Sequence, residues 1–94
     1  MNRYVIERDL PGAGKLSTEQ IRAASQGSVQ ALNELGTGIQ WMRSHVTADR
    51  IYCEYLAENA TLVREHAARA GLPVTKISEV ARVIDPMSAM PNEA

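Results

Sequence analysis

The chain has 94 residues, and 45% of them are hydrophobic, which predicts one small globular domain rather than a disordered chain. Ten basic and eleven acidic side chains give a net charge of −1, so the composition argues against a nucleic-acid partner. A single cysteine excludes an internal disulfide, and no apolar run suits a signal peptide or a membrane span; we therefore expect a cytoplasmic protein with a reduced thiol and no membrane partner.

The first predicted elements are a strand and a capped helix. Alternation over residues 3–9 predicts strand one, and the Pro and Gly residues that follow predict a turn. Ser17 and Gln20 have capping-box spacing and predict the start of helix one, while Gly36 predicts its end. The residues on its predicted inward stripe are Ile21, Ala24, Ser28, Ala31, Leu32 and Leu35.

A hairpin, a second helix and a last strand follow. Residues 38–47 and 51–57 alternate and predict strands two and three, joined by a short turn. Asn59 can cap helix two, which Gly71 ends, and residues 76–85 predict strand four. The inward stripe of helix two is predicted to hold Leu62, Val63, His66, Ala67 and Ala70.

The resulting order, βαββαβ, predicts the ferredoxin-like α+β fold. This is a four-stranded antiparallel sheet with two helices on one face. We expect a single domain over residues 1–85 and a flexible tail over residues 86–94.

If Ala48 and Asp49 form the centre of the hairpin loop, the resulting strand pairing places the side chains of the two strands in two sets, one on each side of the sheet. We assign to the helices Met42, Ser44, Val46, Ile51, Cys53 and Tyr55. The other side of the sheet then carries His45 and a predicted homodimer interface of Trp41, Arg43, Tyr52, Glu54 and Leu56. This assignment requires Cys53 and Trp41 to lie on opposite sides of the sheet; a shared side would contradict both the subunit contact and the interior cluster described next.

Two groups of side chains are candidate metal ligands. In the interior, Cys53 and His66 can approach each other, and Glu7 joins them if its side of strand one faces inward, which the sequence leaves open. Imidazole suits nickel, zinc and copper, and thiolate suits softer ions. The alternative is that Cys53 and His66 are ordinary core residues, as buried free cysteines commonly are.

The second group lies on the bare side of the sheet. There His45 neighbours Glu54, Tyr52 and Arg43, and a dimer would bring two copies together around a hexacoordinate ion with water. The alternative is an ordinary solvated or interfacial hairpin. No residue is predicted to be catalytic, since a buried Cys53 argues against a nucleophile.

The chain resembles a bacterial family of nickel-binding-protein-like, ferredoxin-like domains in three collinear stretches, RYVIERDLPGAGKLS, IQWMRSHVTADRIYCEYLAENATLVREHAARAGLP and ISEVARVID. The resemblance covers nearly everything except the tail. It implies a homodimer with a central sheet barrel and the binding of divalent nickel. The family pattern includes Glu7, Trp41, Cys53, His66 and Gly71 as they stand here.

Three functions are compatible with these observations. We favour a homodimer that binds nickel or another divalent transition metal. The alternative is a small-molecule enzyme of the dimeric α+β barrel type, oxygenase-like or isomerase-like, with a pocket on the open sheet face near Trp41 and His45. The third is an interaction module whose dimer is its only product.

Overall fold

The computed structural model describes residues 1–91. The helices and strands, in chain order, are β1 (Asn2–Asp9), α1 (Thr18–Leu35), β2 (Ile39–Val46), β3 (Arg50–Ala57), α2 (Ala60–Ala70) and β4 (Lys76–Glu79). Short 3-10 turns occupy Ala13–Lys15 and Pro86–Ala89. Within residues 1–91, no helix is both long and apolar enough to cross a membrane.

The four strands form one antiparallel sheet in the order β2-β3-β1-β4. Its helix side carries the core, where Tyr4, Ile6 and Tyr55 from the central strands pack with Val63 of α2. This arrangement confirms the predicted ferredoxin-like fold. We call the other side of the sheet the open face.

Both helices begin and end at the predicted residues. The Ser17 hydroxyl accepts from the Gln20 amide at 3.1 Å, and the Gln20 side chain accepts from the Ser17 amide at 2.9 Å. Asn59 accepts from the Leu62 amide at 2.9 Å. Gly36 and Gly71 both have positive φ, a conformation that carries no steric penalty for glycine.

The last strand is shorter than predicted, ending at Glu79 rather than residue 85. The Val80 amide still donates to the Arg3 carbonyl at 2.8 Å, but β1 begins at Asn2, so later residues have no strand to pair with. Residues 81–91 are exposed. The predicted tail begins within this segment, and its residues 92–94 lie outside the described residues.

The tip of the β2–β3 hairpin is tied to the turn that follows β1. The Leu10 amide donates to the Asp49 carbonyl at 2.9 Å, and the Gly14 amide donates to the Ala48 carbonyl at 3.0 Å. The Gly12 amide donates to the Asp49 carboxylate at 3.0 Å. A Cβ on Gly14 would lie 3.0 Å from Ala48 Cα, so any larger residue here would press against the backbone of the hairpin tip.

The register of the hairpin differs from the prediction at one residue. The pairs from Val46–Ile51 to Arg43–Glu54 are as predicted, but Trp41 then pairs with Tyr55. Met42 is therefore the extra residue of a β-bulge, which sets two residues against one and resets the alternation. Trp41 therefore lies on the helix side together with Cys53, which contradicts the prediction that the two residues lie on opposite sides of the sheet. The predicted place of Trp41 in the open-face interface and the predicted pairing of Met42 with Tyr55 are wrong, and the predicted contact loses its tryptophan.

Candidate functional site

The open face carries two rows of side chains that cross all four strands. Glu7 pairs with Lys76 on one side and with Tyr52 on the other, and Tyr52 pairs with His45. Glu7 therefore lies on the open face and not in the interior. The neighbouring row contains Ser78, Val5, Glu54 and Arg43.

Ion pairs distinguish the carboxylates of these rows. Glu54 pairs with Arg3 and lies 3.7 Å from Arg43, so two guanidinium groups already compensate its charge. Among residues 1–91, the Glu7 carboxylate and the His45 imidazole take part in no ion pair and no hydrogen bond with another side chain. Glu7, which was predicted as an interior ligand, and His45, which was predicted on the open face, are therefore the acidic and histidine side chains of these rows whose donor atoms are free.

In the interior, Cys53 lies beside a buried arginine. Arg8 is 1% exposed, because it follows Tyr4 and Ile6 on the inward side of β1. Its Nε donates to Cys53 Sγ at 3.3 Å, its Nη1 to the Pro73 carbonyl at 2.7 Å, and its Nη2 to the Tyr55 hydroxyl at 3.5 Å. A positive charge this close to the sulfur opposes a divalent cation there.

His66 is fully buried on α2, on the predicted stripe. Its Nε2–H donates to the Ser28 carbonyl at 3.1 Å, and Nδ1 has no hydrogen-bond partner among the described residues. Burial lowers the pKa of His66 and the Arg8 charge adds to that effect, while the Ser28 carbonyl acts in the opposite direction. These influences together favour a neutral imidazole in the core.

The predicted interior cluster of three ligands does not form. Glu7 lies on the other side of the sheet, and Tyr55 packs its ring 5.2 Å from the His66 ring, next to Arg8. No group of three or more His, Cys, Asp or Glu side chains among residues 1–91 is placed to hold a metal ion. Cys53 and His66 have core contacts instead, which was the alternative left open by the sequence.

A cavity of about 190 Å³ lies between α1 and the helix side of the sheet. Small residues of α1, such as Ala24, Ser25 and Ser28, leave this space open above Trp41 and Cys53. The predicted stripe residue Ile21 lines the cavity but remains 42% exposed. The pocket is therefore on the opposite side of the sheet from the one that the enzyme alternative required.

Arg8 was not among the functional residues predicted from the sequence. The pattern that reveals it is the alternation of Tyr4, Ile6 and Arg8 on β1, which places a charged residue in line with two apolar ones. A charged residue on an apolar stripe is the informative exception in such a pattern.

Comparison with known proteins gives two matches. The family model described as nickel responsive protein SCO4226-like matches residues 4–80. The crystal structure of SCO4226 from Streptomyces coelicolor A3(2) is similar with a TM-score of 0.73 at 19% identity, covering 87% of this chain and 99% of that chain. At this identity the structural likeness shows the fold alone. No curated protein sequence matches the chain significantly.

Proposed function

Because the chain belongs to the SCO4226-like family of nickel responsive proteins, we propose that it is a cytoplasmic homodimer that binds a divalent transition metal such as nickel. The resemblance noted in the sequence is confirmed at the level of the family. The observation that supports a site in this chain is the row on the open face in which Glu7 and His45 flank Tyr52.

Glu7 and His45 are the proposed ligands. Imidazole nitrogen and carboxylate oxygen both suit first-row divalent ions, and both groups lack other partners among residues 1–91. Cys53 and His66 are not retained as ligands, because Arg8 holds the sulfur at 3.3 Å and the Ser28 carbonyl holds the imidazole.

A second copy of the chain would complete the ligand set. Adjacent strands are about 4.8 Å apart, so the backbones of Glu7 and His45 are separated by about 10 Å. One chain offers two donors, and two open faces in contact would offer four, with water in the remaining positions. The proposed subunit contact contains Arg43, Tyr52, Glu54 and Leu56, whereas Trp41 is excluded because it lies on the helix side.

Calorimetric titration of the metal-free protein with Ni²⁺ tests the ligand choice. Glu7→Gln and His45→Gln should each weaken binding at least about tenfold, since each removes a donor atom. Binding by the unaltered protein should also weaken as pH falls, because metal ligands must lose their protons. Cys53→Ser is the matched control and should bind Ni²⁺ as the unaltered protein does. Loss of binding in Cys53→Ser, with binding retained in both open-face variants, would contradict the proposal.

Sedimentation velocity tests the dimer separately. Leu56→Asp places a charge on the apolar residue of the proposed contact and should shift the protein towards monomer. The control is Val29→Asp, which alters an exposed residue of α1 on the other side of the molecule. A dimer that persists in Leu56→Asp and dissociates in Val29→Asp would place the contact on the helices instead.

A further inference from the structure

The cavity beneath α1 has one charged wall. Arg8 is 1% exposed, and none of the ion pairs among residues 1–91 includes it. Its three hydrogen bonds go to a carbonyl, a sulfur and a phenol. A guanidinium has five N–H donors, so two remain for another acceptor. In the part of the chain that is described, this buried cation has no carboxylate to balance it.

The rest of the cavity is largely apolar. Its volume of about 190 Å³ is close to that of cavities of about 150 Å³ that admit benzene. Ile51 and Leu72 contribute to its walls, and Ile21 and Val46, at 42% and 44% exposure, lie at its mouth. The space therefore accepts a ring or a short chain, and solvent reaches its entrance.

We propose that this cavity binds a small organic monocarboxylate, whose carboxylate pairs with Arg8 and whose apolar body packs against Ile51 and Val46. This site lies on the opposite side of the sheet from the proposed metal ligands and does not depend on them. The chain would then bind a small organic anion in addition to the proposed metal ion.

The chemistry of the walls selects this class over other anions. A planar guanidinium matches the two oxygens of a carboxylate, and the apolar walls favour an anion with an apolar body over inorganic phosphate, which would lose its hydration without compensation. Burial raises the pKa of Tyr55, so its phenol keeps the proton and can donate to the same carboxylate.

Binding in the cavity can be followed by the fluorescence of Trp41, because this residue lines the cavity and is the only tryptophan of the chain. The probe is sodium benzoate, added to the full chain in buffer with a metal chelator, and the readout is Trp41 fluorescence. The neutral isostere benzamide is the matched control. We expect benzoate to bind at least about tenfold more tightly than benzamide, as a charge-assisted pair would require, and inorganic phosphate at the same concentration to leave the emission unchanged. Equal binding of benzoate and benzamide, or no saturable change with benzoate, would overturn the proposal.

Two variants connect this binding to the cavity. Arg8→Gln should abolish the preference for benzoate over benzamide. Since Arg8 is buried and its replacement can unfold the chain, Ala24→Phe serves as a second variant: Ala24 is an exposed residue of α1 that lines the cavity, so the larger side chain should fill the space and leave the fold intact. Circular dichroism verifies the fold of each variant. Unchanged benzoate binding in folded Ala24→Phe would also overturn the proposal.

Discussion

The titration of His66 is linked to folding. Its pKa in the folded chain lies below the ordinary value of 6.5, first because it is buried. As pH falls through about 6.5, the unfolded chain takes up a proton that the folded chain resists, so the unfolded state binds more protons. The free energy of unfolding is therefore expected to fall with decreasing pH in this range, by up to about 1.4 kcal/mol per pH unit.

Urea unfolding at pH 7.5, 6.5 and 5.5 measures this dependence. His66→Gln should flatten it while lowering the overall stability, and His45→Gln, which removes an exposed imidazole, is the control. Parallel pH profiles for His66→Gln and the unaltered protein would show that His66 does not cause the loss.

Replacement of a glycine by alanine is expected to change the stability in opposite directions at Gly14 and Gly27. Gly14→Ala should destabilise the fold by about 1–3 kcal/mol, because the added methyl group would meet the backbone of Thr47 and Ala48. Gly27→Ala should stabilise it by up to about 1 kcal/mol, because Gly27 lies within α1 and a Cβ there meets nothing within 4 Å. Thermal unfolding of both variants measures the difference, and the same sign for both would contradict this account.

At the scale of elements, the β-bulge determines which side Trp41 occupies. Deleting Met42 should leave the pairs on both sides of it intact, since Trp41 already pairs with Tyr55 and Arg43 with Glu54. We expect a folded protein that loses less than about 1.5 kcal/mol and keeps the Trp41 emission maximum.

The control is deletion of His45, which also shortens β2 by one residue. If the shift is absorbed at the bulge, Arg43 moves opposite Cys53 and its charge enters the core. We therefore expect a loss of at least about 3 kcal/mol in chemical denaturation. Equal losses for the two deletions would mean that the bulge is not the feature that sets the faces.

The element order was predictable from the sequence because local chemistry marks each boundary. Ser17 and Asn59 cap their helices through their own side chains, and Gly71 ends a helix because it has no side chain. The bulge at Met42 has no such marker, since an extra residue in a strand changes the alternation without changing the residue types. The length of β4 depends on where β1 begins, which is information from a distant part of the chain.

The candidate site was less predictable for the same reason. Strand periodicity placed Arg8 with Tyr4 and Ile6, but it could not decide which side of β1 faces the helices. Glu7 was consequently considered as an interior ligand, whereas it lies on the open face beside Tyr52. Only the pairing of β1 with its neighbours settles that orientation.

At the scale of the whole molecule, the described chain is a compact body with a projecting C-terminal segment. Its radius of gyration is 15.0 Å, against about 12 Å for a compact domain of this length. The hydrogen bonds of residues 81–91 stay within that segment. Its large apolar residues are all at least 60% exposed, namely Val83, Ile84, Met87 and Met90.

Truncation after Val80 is therefore expected to change the stability of the single chain by about 0.5 kcal/mol or less. Chemical denaturation at low protein concentration measures this. The control is truncation after Thr75, which removes β4 and the packing of Ile77 against the core and should unfold the chain. A large loss of stability after the shorter truncation would show that the segment packs on its own domain.

The hydrogen bonds between the hairpin tip and the turn after β1 should limit how often a protease can reach this tip. One of these bonds joins residues 37 positions apart, so it holds two distant parts of the chain together. A protease must draw an extended segment into its cleft, and Arg50 is an exposed trypsin target at this tip. The rate at which trypsin cleaves the native protein after Arg50 should therefore be set by how often these hydrogen bonds open.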